Sequence, residues 1–109
     1  MLTDNYEKTQ QHYVHPGSIL KEDIFVPARL SLGDAAELLQ VSRPTISKII
    51  NQKGAITPNM AIRISKAFAG RANFWLRMQR GYNLRKAEQE FEQNQVKIKK
   101  FELVKAGLV

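Results

Sequence analysis

Residues 31–51 read SLGDAAELLQVSRPTISKIIN, and this stretch decides the fold of the 109-residue chain. Ser31 and Ser42 each stand directly before a run with helical spacing of apolar residues. A serine in that position favours a helix start, because its hydroxyl accepts a hydrogen bond from a free backbone N–H of the first turn. Asp34 follows Ser31 by three residues and strengthens the first of these signals. The stretch therefore predicts two short helices joined by a tight turn.

The apolar residues of this stretch have the spacing of a helix-turn-helix motif. Val41, Ile46 and Ile49 follow Ala36 by five, ten and thirteen residues. Ala36 is small enough to let the two helices approach, Val41 fills the turn, and the two isoleucines face inward. Gln40 lies where many such motifs have Gly, so it is predicted to adopt a strained turn angle unless the turn differs slightly.

Once the inner face is assigned, the outer face of the second helix is predicted to meet DNA. Helices of this kind enter the major groove with their N-terminal residues at the base edges, where Arg43 can bond both O6 and N7 of guanine. Asn51 and Lys53 are expected to hold phosphate near the helix end, as are Ser31 and the free N–H groups of the first helix. The predicted DNA-binding residues are Ser31, Ser42, Arg43, Pro44, Thr45, Ser47, Lys48, Asn51 and Lys53.

The charge distribution supports a polyanionic partner. The formal net charge is +7 and the sequence pI is about 9.9. From Leu38 to Ala87 the chain has ten Lys or Arg and no Asp or Glu. A solvated helix surface usually mixes the two signs to gain pairs between neighbouring turns, and this window forgoes them. Double-stranded DNA is the expected partner, ahead of an anionic membrane.

The flanking sequence predicts three further helices. His15-Pro16-Gly17 starts one that Pro27 ends, Thr57-Pro58 starts another that Ala69-Gly70 ends, and the last starts near Ala72, with a period that extends past Gly81. Gly54 is predicted to end the DNA-facing helix in a left-handed conformation. We therefore expect an all-α, five-helix lambda-repressor-like domain over residues 15–91. A flexible N-terminal arm (1–14) precedes it, and a helical or partly extended C-terminal extension (92–109) follows.

Several function classes lose support. The chain has no cysteine, no secretory signal and no apolar run near the roughly 20 residues that span a bilayer, so a cytoplasmic protein without membrane contact is expected. His12 and His15 lack further ligands for a metal site, and His15 is expected to be structural. Glu22 and Asp23 are adjacent and diverge around a helix, so they do not suit paired acid–base chemistry. No catalytic site, cofactor or metal is predicted.

An aromatic segment near the end of the domain is a candidate interface. Phe74, Trp75, Met78 and Tyr82 are large side chains in a chain too short to bury many of them, so a dimer or another partner is expected to cover some. For Trp75 a core position is as compatible with the sequence as an interface position.

Five segments in order resemble the HigA-type antitoxins, also called VapI-like, of the larger Xre/Cro-like helix-turn-helix class. They are His15-Pro16-Gly17, Ser31–Asn51, the connection Gly54–Pro58, Ala61–Ile64 and Phe74–Gln79. The resemblance covers about residues 14 to 90. The first and last segments make it specific, because helix-turn-helix proteins in general lack them. Pro44 departs from the family, whose members often have a longer polar residue there.

The resemblance implies a function with two parts. Such antitoxins bind and silence a HigB/RelE-like toxin, a ribosome-dependent mRNA-cleaving RNase. They also bind an inverted-repeat operator as homodimers and repress their own operon. Two alternatives stay open from the residues: a stand-alone transcriptional regulator without a toxin, and a protein-interaction module whose basic surface meets an acidic partner.

Overall fold

The computed structural model describes residues 14–103 and Gly107. This part of the chain contains five helices and no strand, which confirms the predicted all-α class. The predicted N-terminal arm, apart from Val14, lies outside the described residues, as do residues 104–106 and 108–109 of the predicted extension.

The helices are numbered in chain order. Helix α1 opens with an α-helical turn, Pro16–Ile19, and continues as a π-helical segment, Leu20–Phe25; it is followed by α2 (Leu32–Leu39), α3 (Arg43–Ile50), α4 (Pro58–Phe68) and α5 (Ala72–Gln93). The π-helical segment was not predicted, because its apolar spacing is compatible with an ordinary helix. In the described part of the chain, none of these helices has the length and apolarity needed to span a membrane.

Side-chain caps explain where four of the helices begin. The Ser31 hydroxyl accepts from the backbone N–H of Asp34 at 3.0 Å, and the Asp34 carboxylate accepts from the backbone N–H of Ser31 at 3.1 Å, which completes the predicted capping box. Ser42 and Thr57 cap α3 and α4 in the predicted way, each with a proline in the first turn. At α1 the cap is His15, whose Nδ1 accepts from the backbone N–H of Gly17 at 2.9 Å.

The core lies where the five helices meet, and the inner face assigned from sequence is buried there. Ala36, Ile46 and Ile49 are all buried, and Val41 packs against them from the turn. Among the described residues, the buried hydrophobic ones are Leu20, Phe25, Ala35, Ala36, Leu39, Ile46, Ile49, Ile56, Met60, Ala61, Ile64 and Trp75. Three of these residues belong to α2 and two to α3, so the helix pair is anchored on the rest of the domain.

The end of α3 differs from the prediction. Gly54 does not adopt a left-handed conformation; Gln52 does, with φ 63°. The backbone N–H groups of Lys53 and Gly54 both donate to the carbonyl of Lys48, at 2.8 and 3.0 Å. The chain therefore reverses earlier than expected, and the last turn of α3 is closed by the residues that follow Gln52.

Helix α5 is continuous through Gly81 and ends at Gln93, two residues beyond the predicted end of the domain. Residues 96–102 form neither helix nor strand. Within them, Ile98 and Phe101 are 75% and 66% exposed, so this stretch does not contribute to the core.

Candidate nucleic-acid interface

The turn between α2 and α3 is short and held on both sides. Gln40 has φ 56° and ψ 49°, a left-handed conformation, which is the strained one of the two alternatives that the sequence left open. The backbone N–H of Val41 returns to the carbonyl of Ala36 at 3.0 Å. From α4, the guanidinium of Arg63 donates to the carbonyls of Leu39 and Gln40, both at 2.9 Å. These bonds satisfy the free carbonyls at the end of α2 and fix the direction in which α3 leaves the turn.

The structure leaves almost all of the predicted DNA-facing side chains accessible. Ser47 is half-buried, and the exposed members are Ser31, Ser42, Arg43, Pro44, Thr45, Lys48, Asn51 and Lys53. Most of them lie along α3 and its two ends, while Ser31 starts α2. A helix whose opposite face is buried among core residues can present such a surface without rearrangement.

Several polar groups on this surface are already hydrogen-bonded within the chain. The hydroxyls of Ser42 and Thr45 lie 2.8 Å apart, and the Ser42 hydroxyl also accepts from the backbone N–H of Thr45 at 3.3 Å. The side-chain amide of Asn51 donates to the carbonyl of Ser47 at 2.8 Å. These bonds use part of the bonding capacity of the short side chains. The long cationic side chains have more reach and more donors.

Arg43 crosses from α3 to the first turn of α2. A Cβ atom built on Gly33 would lie 2.7 Å from a terminal nitrogen of its guanidinium. The pKa of the adjacent Asp34 carboxyl is lowered, chiefly by its hydrogen bonds with Ser31 and to a smaller extent by the charge of Arg43. The sequence motif identified Arg43 as exposed but gave no sign of this contact, because Gly33 and Arg43 belong to different helices.

His15 is a buried residue that joins three parts of the domain, which supports the structural role expected for it. It is 3% exposed, caps α1, and meets the ring of Tyr82 edge-on at 4.8 Å between centroids. Burial lowers the pKa of His15 most; a backbone hydrogen bond with Gly54 raises it, and the charge of Lys86 lowers it further. The His-Pro-Gly segment therefore connects α1 to α5 and to the turn after α3.

Gln79 is a buried polar residue that joins α5 to the segment before α4, and the sequence did not predict this role. Its side-chain oxygen accepts from the backbone N–H of Ile56 at 2.8 Å, and its side-chain amide donates to the Asn83 oxygen at 2.9 Å. Gln79 is buried and stands four residues after Trp75 on the same side of α5. The four-residue spacing from Trp75 was the one sequence signal that could have predicted the burial of Gln79.

In the part of the chain that is described, no three His, Asp or Glu side chains gather into a potential metal site.

The aromatic segment divides between core and surface. Trp75 is 3% exposed and belongs to the core, whereas Phe74 is 51% exposed and its ring packs edge-on against Trp75. Met78 and Tyr82 are half-buried. Further along α5, Leu84, Ala87 and Phe91 are exposed at helical spacing and form an apolar stripe. These three residues form the α5 stripe.

The sequence and the fold of this chain are similar to those of known helix-turn-helix proteins. A helix-turn-helix family model matches residues 25–72. Virulence-associated protein I of Dichelobacter nodosus is 39% identical over 83 residues, which cover 76% of this chain and 77% of that protein. The solved structure of antitoxin GraA superposes with a TM-score of 0.76 at 30% identity, over 82% of this chain and 97% of that one. A structure described as the Pseudomonas aeruginosa antitoxin HigA with the higBA promoter gives 0.75 at 30% identity, over 83% and 99%.

Proposed function

Because this chain belongs to the HigA-type, VapI-like family of helix-turn-helix proteins, we propose that it is an antitoxin that also represses transcription. It binds and neutralises a HigB/RelE-like, mRNA-cleaving toxin, and it represses its own operon by binding operator DNA. The observation that carries the DNA-binding half is the exposed, basic surface of α3, fixed on a buried opposite face. The relatives named as antitoxins support the toxin-binding half.

Three basic side chains of this surface are proposed to make different contacts with DNA. Arg43, at the first position of α3, reads base edges; Lys48 reaches guanine or phosphate one turn later; and Lys53, in the turn after α3, holds phosphate. Ser31 and the N-terminal N–H groups of α2 meet a neighbouring phosphate where that helix crosses the backbone. The acid-free window from Leu38 to Ala87 keeps acidic residues out of α3 and the residues that flank it, whereas Asp34 and Glu37 belong to α2.

The test of the DNA-binding half compares two substitutions on duplexes taken from upstream of the gene. Arg43→Ala should weaken operator binding by about 1–3 kcal/mol and relax the base preference. Lys53→Ala should weaken binding to all sequences alike and reduce the salt dependence by about one ion. Anisotropy titrations at several salt concentrations measure both effects. Unchanged binding in both variants would remove α3 from the DNA contact.

We propose that the protein binds DNA as a homodimer through α5. Both buried residues of this 22-residue helix, Trp75 and Gln79, lie in its first half. The second half carries the α5 stripe, with Leu84 59% and Phe91 48% exposed. A second copy would cover the stripe with the same stripe, as in a two-fold interface. Such a dimer favours an inverted repeat with half-sites about 10 bp apart, or a multiple of that distance.

The toxin-neutralising half is tested by co-expression with the product of the adjacent gene. If that product arrests growth, this chain should restore growth and co-purify with it. Residues 1–14 and 92–109 are the proposed toxin contacts, because they lie outside the predicted helix-turn-helix domain of residues 15–91. If operator binding is retained but no neighbouring product is neutralised, the chain is a stand-alone regulator.

A further inference from the structure

The guanidinium of Arg43 occupies space that exists only because residue 33 has no side chain. A Cβ atom on Gly33 would lie 2.7 Å from a terminal nitrogen of Arg43, 3.1 Å from Cζ and 3.2 Å from Nε. Three atoms of the guanidinium are the nearest neighbours of that Cβ position, so the group lies against the first turn of α2. The backbone of Gly33 is not in the left-handed region, and steric room is therefore what the glycine supplies.

Asp34 gives the same position an electrostatic attraction. Its carboxylate is held by the Ser31 backbone N–H at 3.1 Å, so it stays at the N-terminal end of α2. A positive charge beside the N-terminus of a helix is otherwise unfavourable, and the carboxylate offsets this cost for Arg43. The room at Gly33 and the charge of Asp34 therefore favour one location for a long side chain that has many rotamers.

We propose that Gly33 is a positioning residue that sets the base preference of Arg43. The inference rests on the proposed DNA-binding function. Bidentate recognition of guanine requires the guanidinium plane to match the O6 and N7 atoms of the base, so a fixed plane discriminates between bases better than a mobile one. With a larger residue at position 33, the guanidinium must shift from its present position against the first turn of α2. Arg43 then keeps its charge but loses its orientation.

The decisive experiment uses Gly33→Ala, Arg43→Ala and the double variant of the full chain. Anisotropy titrations measure affinity for the footprinted operator duplex and for duplexes with single base-pair changes in each half-site. In Gly33→Ala the preference for the operator base pair read by Arg43 should fall at least about fivefold. Its affinity for unrelated duplex DNA should be unchanged, and its melting temperature should equal or exceed that of the wild type. In the Arg43→Ala background, Gly33→Ala should have no further effect.

The experiment distinguishes an error in the proposed DNA-binding surface from an error in the positioning role of Gly33. If Arg43→Ala leaves operator binding unchanged, the proposed DNA-binding surface is wrong. If Arg43→Ala weakens binding but Gly33→Ala leaves the base preference unchanged, the positioning role is overturned. A loss of preference that persists in the Arg43→Ala background would also overturn it, because the effect then does not pass through Arg43.

A second variant keeps the proposal testable if Gly33→Ala folds poorly. Asp34→Asn retains an oxygen that can accept from the Ser31 N–H, but it removes the charge that attracts Arg43. It should lower the same base preference, by less than Gly33→Ala does. Unchanged preference in Asp34→Asn, together with unchanged or unmeasurable preference in Gly33→Ala, would contradict the proposal.

Discussion

Gly17 allows the closest approach between α1 and the DNA-facing helix. A Cβ atom at this position would fall directly onto the backbone carbonyl of Ile49, near the end of α3. A backbone atom cannot turn aside as a flexible side chain can. The glycine of the His-Pro-Gly segment is thus required for contact with α3, which the sequence signal for a helix start did not reveal.

Gly17→Ala should therefore destabilise the protein strongly. We expect the free energy of unfolding to fall by about 2–3 kcal/mol or more, because α1 and α3 must separate. Chemical denaturation monitored by circular dichroism measures the change. Gly33→Ala is the matched control: it makes the same substitution in a helix, but the new Cβ meets only the end of the Arg43 side chain, which can be displaced without separating two helices, so the stability should not fall. Equal stability of Gly17→Ala and the wild type would refute the contact.

His15 should make stability depend on pH. Its pKa in the folded protein is below the ordinary value of 6.5, so the unfolded chain binds a proton more readily. The contribution of the neutral, buried imidazole is complete above about pH 6.5 and is lost as the pH falls from there toward the folded-state pKa. The free energy of unfolding should decrease by at most about 1.4 kcal/mol for each unit by which the pH falls.

The pH prediction is measured by denaturation between pH 5 and pH 8. His15→Gln should flatten the dependence in this window. His12→Gln, which changes the other histidine of the chain, should retain it. A wild-type protein with equal stability at pH 5.5 and pH 8 would contradict the assignment.

At the scale of the elements, helix starts were predictable because their chemistry is local. Ser31, Ser42 and Thr57 each bond to N–H groups within three residues, so the sequence contains the complete signal. The end of α3 was not predictable in the same way. Gln52 takes the left-handed position in place of Gly54, since the carbonyl of Lys48 accepts from both residues after Gln52.

The contact that orients α3 comes from a helix far along the chain. Arg63 bonds to the carbonyls of Leu39 and Gln40, over 24 and 23 residues of sequence, and no local pattern marks such a partner. Arg63→Met should lower the free energy of unfolding by about 1–3 kcal/mol, because it leaves the end of α2 unsatisfied. It should also weaken operator binding through the loosened turn. Lys66→Met, an exposed change on the same helix, should alter stability little; equal effects of the two substitutions would rule out the cap.

At the scale of the whole molecule, the helical spacing of apolar residues in α5 predicted the length of this helix. It did not predict which apolar residues of α5 the core leaves exposed. Leu84, Ala87 and Phe91 continue its period beyond Gly81, and the structure shows them exposed because the core ends near Gln79. The sequence interpretation had placed a weak interface at Phe74, Trp75, Met78 and Tyr82. Which of these aromatic residues is buried depends on packing against α1 and α4, and that is decided by the complete fold.

Leu84→Glu should convert the proposed dimer into a monomer. A charge at Leu84, the first residue of the α5 stripe, would have to be buried without a partner in the dimer. Sedimentation measures the mass, and we expect operator affinity to fall on the order of 100-fold because the two half-sites are no longer bound together. Ile62→Glu is the control, since Ile62 is 47% exposed but lies on α4. A Leu84→Glu protein that remains dimeric would place the interface elsewhere.

The central claim is that α3 and the start of α2 form the DNA-binding surface, and amide chemical-shift mapping tests it most directly. Isotope-labelled protein is titrated with the duplex protected in footprinting, and an unrelated duplex serves for comparison. We predict that the largest shifts occur at Ser31–Asp34 and at Ser42–Lys53, with small shifts in residues 96–103. Largest shifts along residues 96–103 or the first turn of α4, with α3 unaffected, would contradict the account.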